Sequence, residues 1–95
     1  MKIAGVQMDV ALRQVAANLR AITEHVRETA AAGAVLTVFP ECALTGYCFD
    51  SRDEAAAHAE PVPGPSTERL AAVCGESGSF AVMGMLEIEN DQLFN

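Results

Sequence analysis

From Ala34 to Phe39 the chain reads Ala-Val-Leu-Thr-Val-Phe, an apolar run interrupted only by a threonine and rich in β-favouring side chains. A strand that is apolar on both of its alternating faces belongs in a parallel sheet covered on both sides. Pro40 has no backbone donor and closes the ladder, so Glu41 is expected at the carboxyl end of that strand. In open α/β sheets this rim is where ligands bind. A carboxylate held partly dry there can work as a general base. An ordinary solvated acid at a strand end has the same spacing, and the spacing alone leaves both readings open.

Around this run the pattern is strand, helix, strand, loop, helix, strand, with the start of a further strand. Ile3 to Met8 is apolar except at Gln7 and Gly5 and reads as the first strand. Val15, Leu19, Ile22, Val26 and Ala30 recur at three- and four-residue steps and form one face of a helix. Arg13, Arg20, Glu24, Arg27 and Glu28 lie largely on its wet side, where charges serve solubility more often than substrate contact. Gly33 suits the left-handed residue that ends this helix. The connection from Thr45 to Glu60 is long, with a helical turn expected over Asp53 to Ala59, and long rim connections tend to be functional. In it Tyr47 and Phe49 either wall a pocket or pack the loop onto the body. His58 reads as a surface residue, with no second ligand at metal-site spacing.

Pro61-Val62-Pro63-Gly64-Pro65 is a stiff joint leading into a second main helix. Pro65 is placed for its first turn, Glu68 is favourable to the dipole, and Leu70, Val73 and Cys74 face inward. Gly78 ends that helix, and Phe80 to Ile88 reads as the third strand. Gly84 within it marks a close approach of backbone, and no Gly-rich phosphate loop follows any strand. Asn90-Asp91 is a tight turn, after which Gln92 to Asn95 returns opposite Leu86 to Glu89.

Composition narrows the partners. With 95 residues the chain is at most one small domain, and its net charge of −7 disfavours nucleic acid and anionic membranes. No run is long enough to span a bilayer, and the amino terminus lacks the apolar stretch of a signal peptide, so a cytoplasmic location is expected. Three cysteines at irregular spacing read as reduced thiols, each a small buried hydrophobe. Cys42-x5-Cys48 does not fit a zinc knuckle, and no metal site is expected.

Phe39-Pro40-Glu41 followed by Leu44-Thr45-Gly46-Tyr47 resembles the first catalytic block of the nitrilase superfamily, the carbon–nitrogen hydrolases. Lys2 to Gln7 is similar to that family's opening strand and Ala32-Gly33-Ala34 to its helix-to-strand turn. Pro63 to Thr67 resembles the approach to its second helix, and Val82-Met83-Gly84 lies in the strand that follows. The resemblance runs over the whole chain in the family's order. It implies part of a four-layer α-β-β-α sandwich, no metal or organic cofactor, and a homo-oligomeric parent. It also implies hydrolysis of a small amide, carbamoyl compound or nitrile by a glutamate, a lysine and a cysteine. Only the glutamate carries over, onto Glu41, with Tyr47 as a weaker candidate for substrate contact.

The partners of that glutamate are expected to be missing. The single lysine, Lys2, falls at the amino-terminal edge of the first strand, the wrong end of the sheet. None of Cys42, Cys48 and Cys74 has the neighbouring base that an activated thiol needs. The sequence is therefore read as the amino-terminal part of a single hydrolase domain, apparently truncated in a pairing strand and inactive by itself. Two alternatives stand beside it. One is a noncatalytic α/β interaction module, whose exposed sheet would self-associate. The other is a flavodoxin-like nucleotide binder, which would require phosphate loops that this chain lacks.

Overall fold

The computed structural model describes residues 1–95, and its elements follow the expected order. They are β1 (Ile3–Gly5), α1 (Val15–Ala31), β2 (Leu36–Val38), α2 (Arg52–His58), α3 (Pro65–Ser77), β3 (Phe80–Val82), β4 (Glu87–Glu89) and β5 (Gln92–Phe94). β1, β2 and β3 form a parallel sheet in that spatial order, while β4 and β5 pair as an antiparallel hairpin. The chain is an α/β protein.

Strand order decides where the helices go. Parallel crossovers are right-handed, and two crossovers that step in the same direction put their helices on one face. α1 and α3 accordingly pack on each other and cover the same side of the sheet. The register aligns Ala4, Thr37 and Ala81 on that side, a row of small residues on which both helices can sit. Ile22, Val26, Leu70 and Val73 from the helices meet Phe39, Ala43 and Leu44 to make the core. The expected helix faces are thus the buried ones.

The opposite face is bare. Ile3, Val38, Phe80 and Val82 project from it, and Phe80 is 75% exposed. A sheet covered on both sides was expected from the sequence; within this chain one layer of helices covers one side. The unreversed order also contains no switch point, the feature on which a flavodoxin-like nucleotide site depends.

Local signals hold in detail at both helix ends. Gly33 adopts φ +98°, its N–H bonds the Ala30 carbonyl, and the Ala34 N–H reaches back to Thr29 (2.9 Å each), a Schellman closure. The Lys2 ammonium donates to the Ala32 carbonyl at 2.5 Å, capping the same helix end. Gly78 ends α3 in the left-handed region at φ +65°. α2 begins at a Ser51 cap, whose hydroxyl accepts from the Glu54 N–H at 3.1 Å. At α3 the Glu60 carboxylate accepts from the Ser66 N–H (2.8 Å) and hydroxyl (2.5 Å), adding negative charge to a helix amino terminus.

The third strand departs from expectation. Phe80 to Ile88 is not one strand; it breaks between Val82 and Glu87. β2 offers its last donor when the Phe39 N–H bonds the Val82 carbonyl (2.9 Å), because Pro40 has none to give. The chain therefore changes partners. The Gly84 carbonyl takes the Ala43 N–H (3.0 Å), and Leu86 and Ile88 bond to the backbone of Glu60. The return strand is as expected, with Glu87 opposite Phe94, Ile88 opposite Leu93 and Glu89 opposite Gln92. Asn90 and Asp91 both have positive φ, at 50° and 63°, which is the primed turn that suits a two-residue hairpin.

Candidate active site

Glu41 stands where the sequence places it, just past the carboxyl end of the central strand. Its loop is built inward. Cys42, Ala43, Leu44, Thr45 and Gly46 are all buried, and Glu41 is the exposed member of the series. Cys42 makes the bend with φ +48°, and its carbonyl accepts the Gly46 N–H at 2.8 Å. Gly46 has φ +73°, a left-handed conformation that favours glycine, and a side chain there would also have to displace Leu12 Cδ2, 2.5 Å away.

Two further contacts fix the loop from the sides. On one flank, a Cβ at Gly84 would lie 2.7 Å from the Cys42 nitrogen, 2.9 Å from the Glu41 Cα and 3.0 Å from the Pro40 oxygen. This is the close backbone approach read from the sequence, and it brings the break after β3 directly against the Glu41 backbone. On the other flank is Asn18, only 2% exposed. Its side-chain amide donates to the carbonyls of Ala11 (2.8 Å) and Leu44 (2.9 Å), and its oxygen accepts the Ala11 N–H (2.9 Å). One side chain thus ties the connection after β1 to the connection after β2.

The carboxylate itself is not half-dry, as the sequence led us to expect: Glu41 is exposed. The physical reason is the inward turn of Cys42 to Gly46, which leaves the rim above β2 open. One side chain reaches it there. Asn95 Nδ2 donates to Glu41 Oε1 at 2.9 Å, and the Cys42 thiol donates to Asn95 Oδ1 at 3.6 Å. Asn18 and Asn95 are the two residues that sequence reading missed. Asn18 carried a signal, since it is a polar residue beside Val15, Leu19 and Ile22 on the buried stripe of α1. Asn95 carried none, because nothing local relates it to a residue more than fifty positions away.

The remaining candidates sort by position. Tyr47 is 70% exposed and makes no hydrogen bond or ring contact with Glu41. Phe49 stacks on His58 with ring centroids 6.0 Å apart, so these two residues pack the connection onto itself. Of the cysteines, Cys42 is buried and Cys74 half-buried, but Cys48 is exposed, against the expectation that all three would be buried. It follows Gly46 and Tyr47, where the loop has already turned outward. Burial, and then the Glu41 charge, push the Cys42 thiol above its ordinary value; burial alone raises Cys74. Both shifts oppose thiolate formation, the reverse of what a nucleophile requires. Lys2 lies at the amino-terminal edge of β1, on the rim opposite Glu41, and is occupied as a helix cap.

At the outer end of the long connection, the Asp50 N–H donates to Glu54 Oε2 at 2.9 Å, and Arg13 pairs with the same carboxylate. These bonds hold the Glu54 carboxyl below its ordinary value, the Asp50 N–H contributing most. Arg13 also donates its backbone N–H to Thr45 (2.8 Å), linking this ion pair to the Glu41 loop. No cluster of three histidine, cysteine or acidic side chains forms a metal site, and no helix is long and apolar enough to cross a membrane.

Glu41 thus sits at the carboxyl rim of a parallel sheet, on a loop whose next five residues are buried, with its carboxylate exposed. The family description "Carbon-nitrogen hydrolase" matches residues 2–95. The chain belongs to the carbon–nitrogen hydrolase family. It is 33% identical to a nitrilase of Pyrococcus abyssi over 96 aligned residues, covering 100% of this chain and 37% of that protein. It is 34% identical to omega-amidase NIT2 of Xenopus tropicalis over 79 residues, covering 82% of this chain and 28% of that one. Nitrilase 2 of Arabidopsis thaliana is 30% identical over 105 residues, covering 94% of this chain and 31% of the relative. The chain spans about a third of the length of the curated relatives it matches.

Proposed function

We propose that residues 1–95 are the amino-terminal part of a single carbon–nitrogen hydrolase domain, with Glu41 as its general base. The reaction is hydrolysis of a non-peptide carbon–nitrogen bond in a small amide, carbamoyl compound or nitrile. Relatives named as nitrilases and as an omega-amidase support the nitrile and amide members of that range. In the scheme that the resemblance implies, a cysteine thiolate attacks the substrate carbon and a lysine stabilises the charged intermediate. The glutamate takes the thiol proton and later activates water. The observation that carries this reading is the outward placement of Glu41 on a loop whose next five residues are buried.

The same reading assigns the bare sheet face to a second sheet, as in a four-layer α-β-β-α sandwich, within a homo-oligomeric parent. The exposed row of Ile3, Val38, Phe80 and Val82 supports it. It also fits a noncatalytic module that associates through its sheet, and turnover separates the two.

Because Lys2 is a helix cap and Cys42 a protonated buried thiol, the 95-residue chain is expected to hydrolyse neither amides nor nitriles. Ammonia release from a panel of short amides, carbamoyl compounds and nitriles is the measurement. Activity in the purified chain that vanishes in Glu41→Gln would overturn the assignment of the missing groups to other sequence. When the chain is joined to a lysine- and cysteine-bearing remainder of the family, Glu41→Gln is expected to abolish turnover. Full activity in that variant would remove Glu41 from the mechanism.

A further inference from the structure

We propose that Asn95 is the positioning residue for the Glu41 carboxylate, holding one of its oxygens and leaving the other free to take a proton. The inference rests on the reading of Glu41 as the general base. Its geometry is a three-member chain: the Cys42 thiol donates to Asn95 Oδ1 at 3.6 Å, and Asn95 Nδ2 donates to Glu41 Oε1 at 2.9 Å. No second protein donor reaches Glu41, so Oε2 is open toward the rim.

The chemistry of the three groups fixes their order. A carboxylate only accepts, so the amide must turn its NH2 toward Glu41. Its carbonyl then faces Cys42, which must supply a proton. The thiol is suited to that because burial and the neighbouring carboxylate keep it in the S–H form. Cys42 thereby has a task that suits a protonated thiol and would not suit a nucleophile. The amide cannot flip without setting NH2 against S–H and a carbonyl against a carboxylate.

Asn95 is exposed, and its side-chain hydrogen bonds run to Glu41 and Cys42. It follows β5, whose register against β4 is set by the Asn90-Asp91 turn. β4 is bonded to the Glu60 backbone, and Arg52 donates to the Asp91 carbonyl, so β4 and the turn of the hairpin are fastened to the body. An exposed glutamate otherwise samples several rotamers, and a general base must lie within hydrogen-bond reach of its proton. An amide carried on that hairpin and bonded to Cys42 confines that search, and misplacement of a reacting group by about 1 Å costs on the order of 100-fold in rate.

The test has two arms. In the 95-residue chain, with asparagine side chains 15N-labelled, the Asn95 NH2 resonances should respond to acidification. That response should be lost in Glu41→Gln. Asn95→Ala should release the Glu41 methylenes to faster motion while β4 amide shifts stay in place. Resonances of Asn95 that ignore pH, or that titrate equally in Glu41→Gln, overturn the proposal. In the chain joined to a lysine- and cysteine-bearing remainder, Asn95→Ala should lower kcat on the order of 100-fold with little change in KM. Asn95→Asp, which sets a like charge beside Glu41, should move the acid limb of the rate profile to higher pH. Unchanged kcat and pH profile in both variants, with Glu41→Gln inactive, overturn the positioning role alone. Full activity in Glu41→Gln instead overturns the base assignment beneath it.

Discussion

Gly84 shows how one missing side chain supports a site on another strand. The atoms that its Cβ would strike are backbone atoms of Pro40, Glu41 and Cys42, at 2.7–3.0 Å, and backbone cannot swing aside as a flexible side chain can. Gly84→Ala is therefore expected to destabilise the fold by about 1–3 kcal/mol through overpacking. It should also shift the amide resonances of Glu41 and Cys42 more than those of α1; an unmoved Glu41 loop would contradict this account. The buried thiols make a second prediction at the same scale. Cys42 and Cys74 have values raised above the unfolded reference of 9.0, so the folded state holds their protons longer. Stability is then unaffected well below pH 9 and declines above it, by at most about 1.4 kcal/mol per pH unit for each thiol. Urea midpoints between pH 8 and 10.5 should show this slope, reduced in Cys42→Ala. Reaction with a small alkylating agent at pH 8 should be fast at exposed Cys48 and slow at Cys42.

At the scale of elements, α1 does two jobs, closing the core with Ile22 and Val26 and anchoring loops with Asn18. Asn18→Ala would strand the buried Leu44 carbonyl and remove the partner of the part-buried Ala11 N–H and carbonyl. A loss of about 1–3 kcal/mol is expected for the unsatisfied groups, read from denaturant midpoints. Faster amide exchange at Ala11 and near Leu44 should accompany it, with the α3 amides unchanged. Periodicity made the helices legible, because their faces repeat within a few residues and their ends carry glycines. The break in the third strand was hidden for the opposite reason. Whether Met83 to Leu86 stays in the ladder depends on the neighbouring strand, which runs out of donors at Pro40. Glu41 was legible as a position from its proline and the strand before it. Its exposure was not, since that depends on where the next five residues turn. Asn95 reaches the site only through the hairpin and the fold that carries it.

For the whole molecule, the dominant fact is a sheet covered on one side. A parallel sheet of aliphatic and aromatic residues facing water favours association, and the exposed set here includes Ile3, Val38, Phe80 and Val82. The purified chain is expected to self-associate in sedimentation velocity. The pair Phe80→Ser and Val82→Thr should raise the monomer fraction while leaving helix content unchanged. A wild-type chain that stays monomeric at high micromolar concentration would show that the bare face is not adhesive. The sheet's composition announced an apolar strand on both faces, but only the strand order reveals that both helices fall on the same side.

That order, β1-β2-β3 with no reversal, also bears on synthesis. Within that sheet β2 pairs with β1 and β3 with β2, and each helix is complete before the strand that seals it emerges. A ribosome can therefore lay this sheet down vectorially, adding one βα step at a time, and no early strand has to wait for a distant partner.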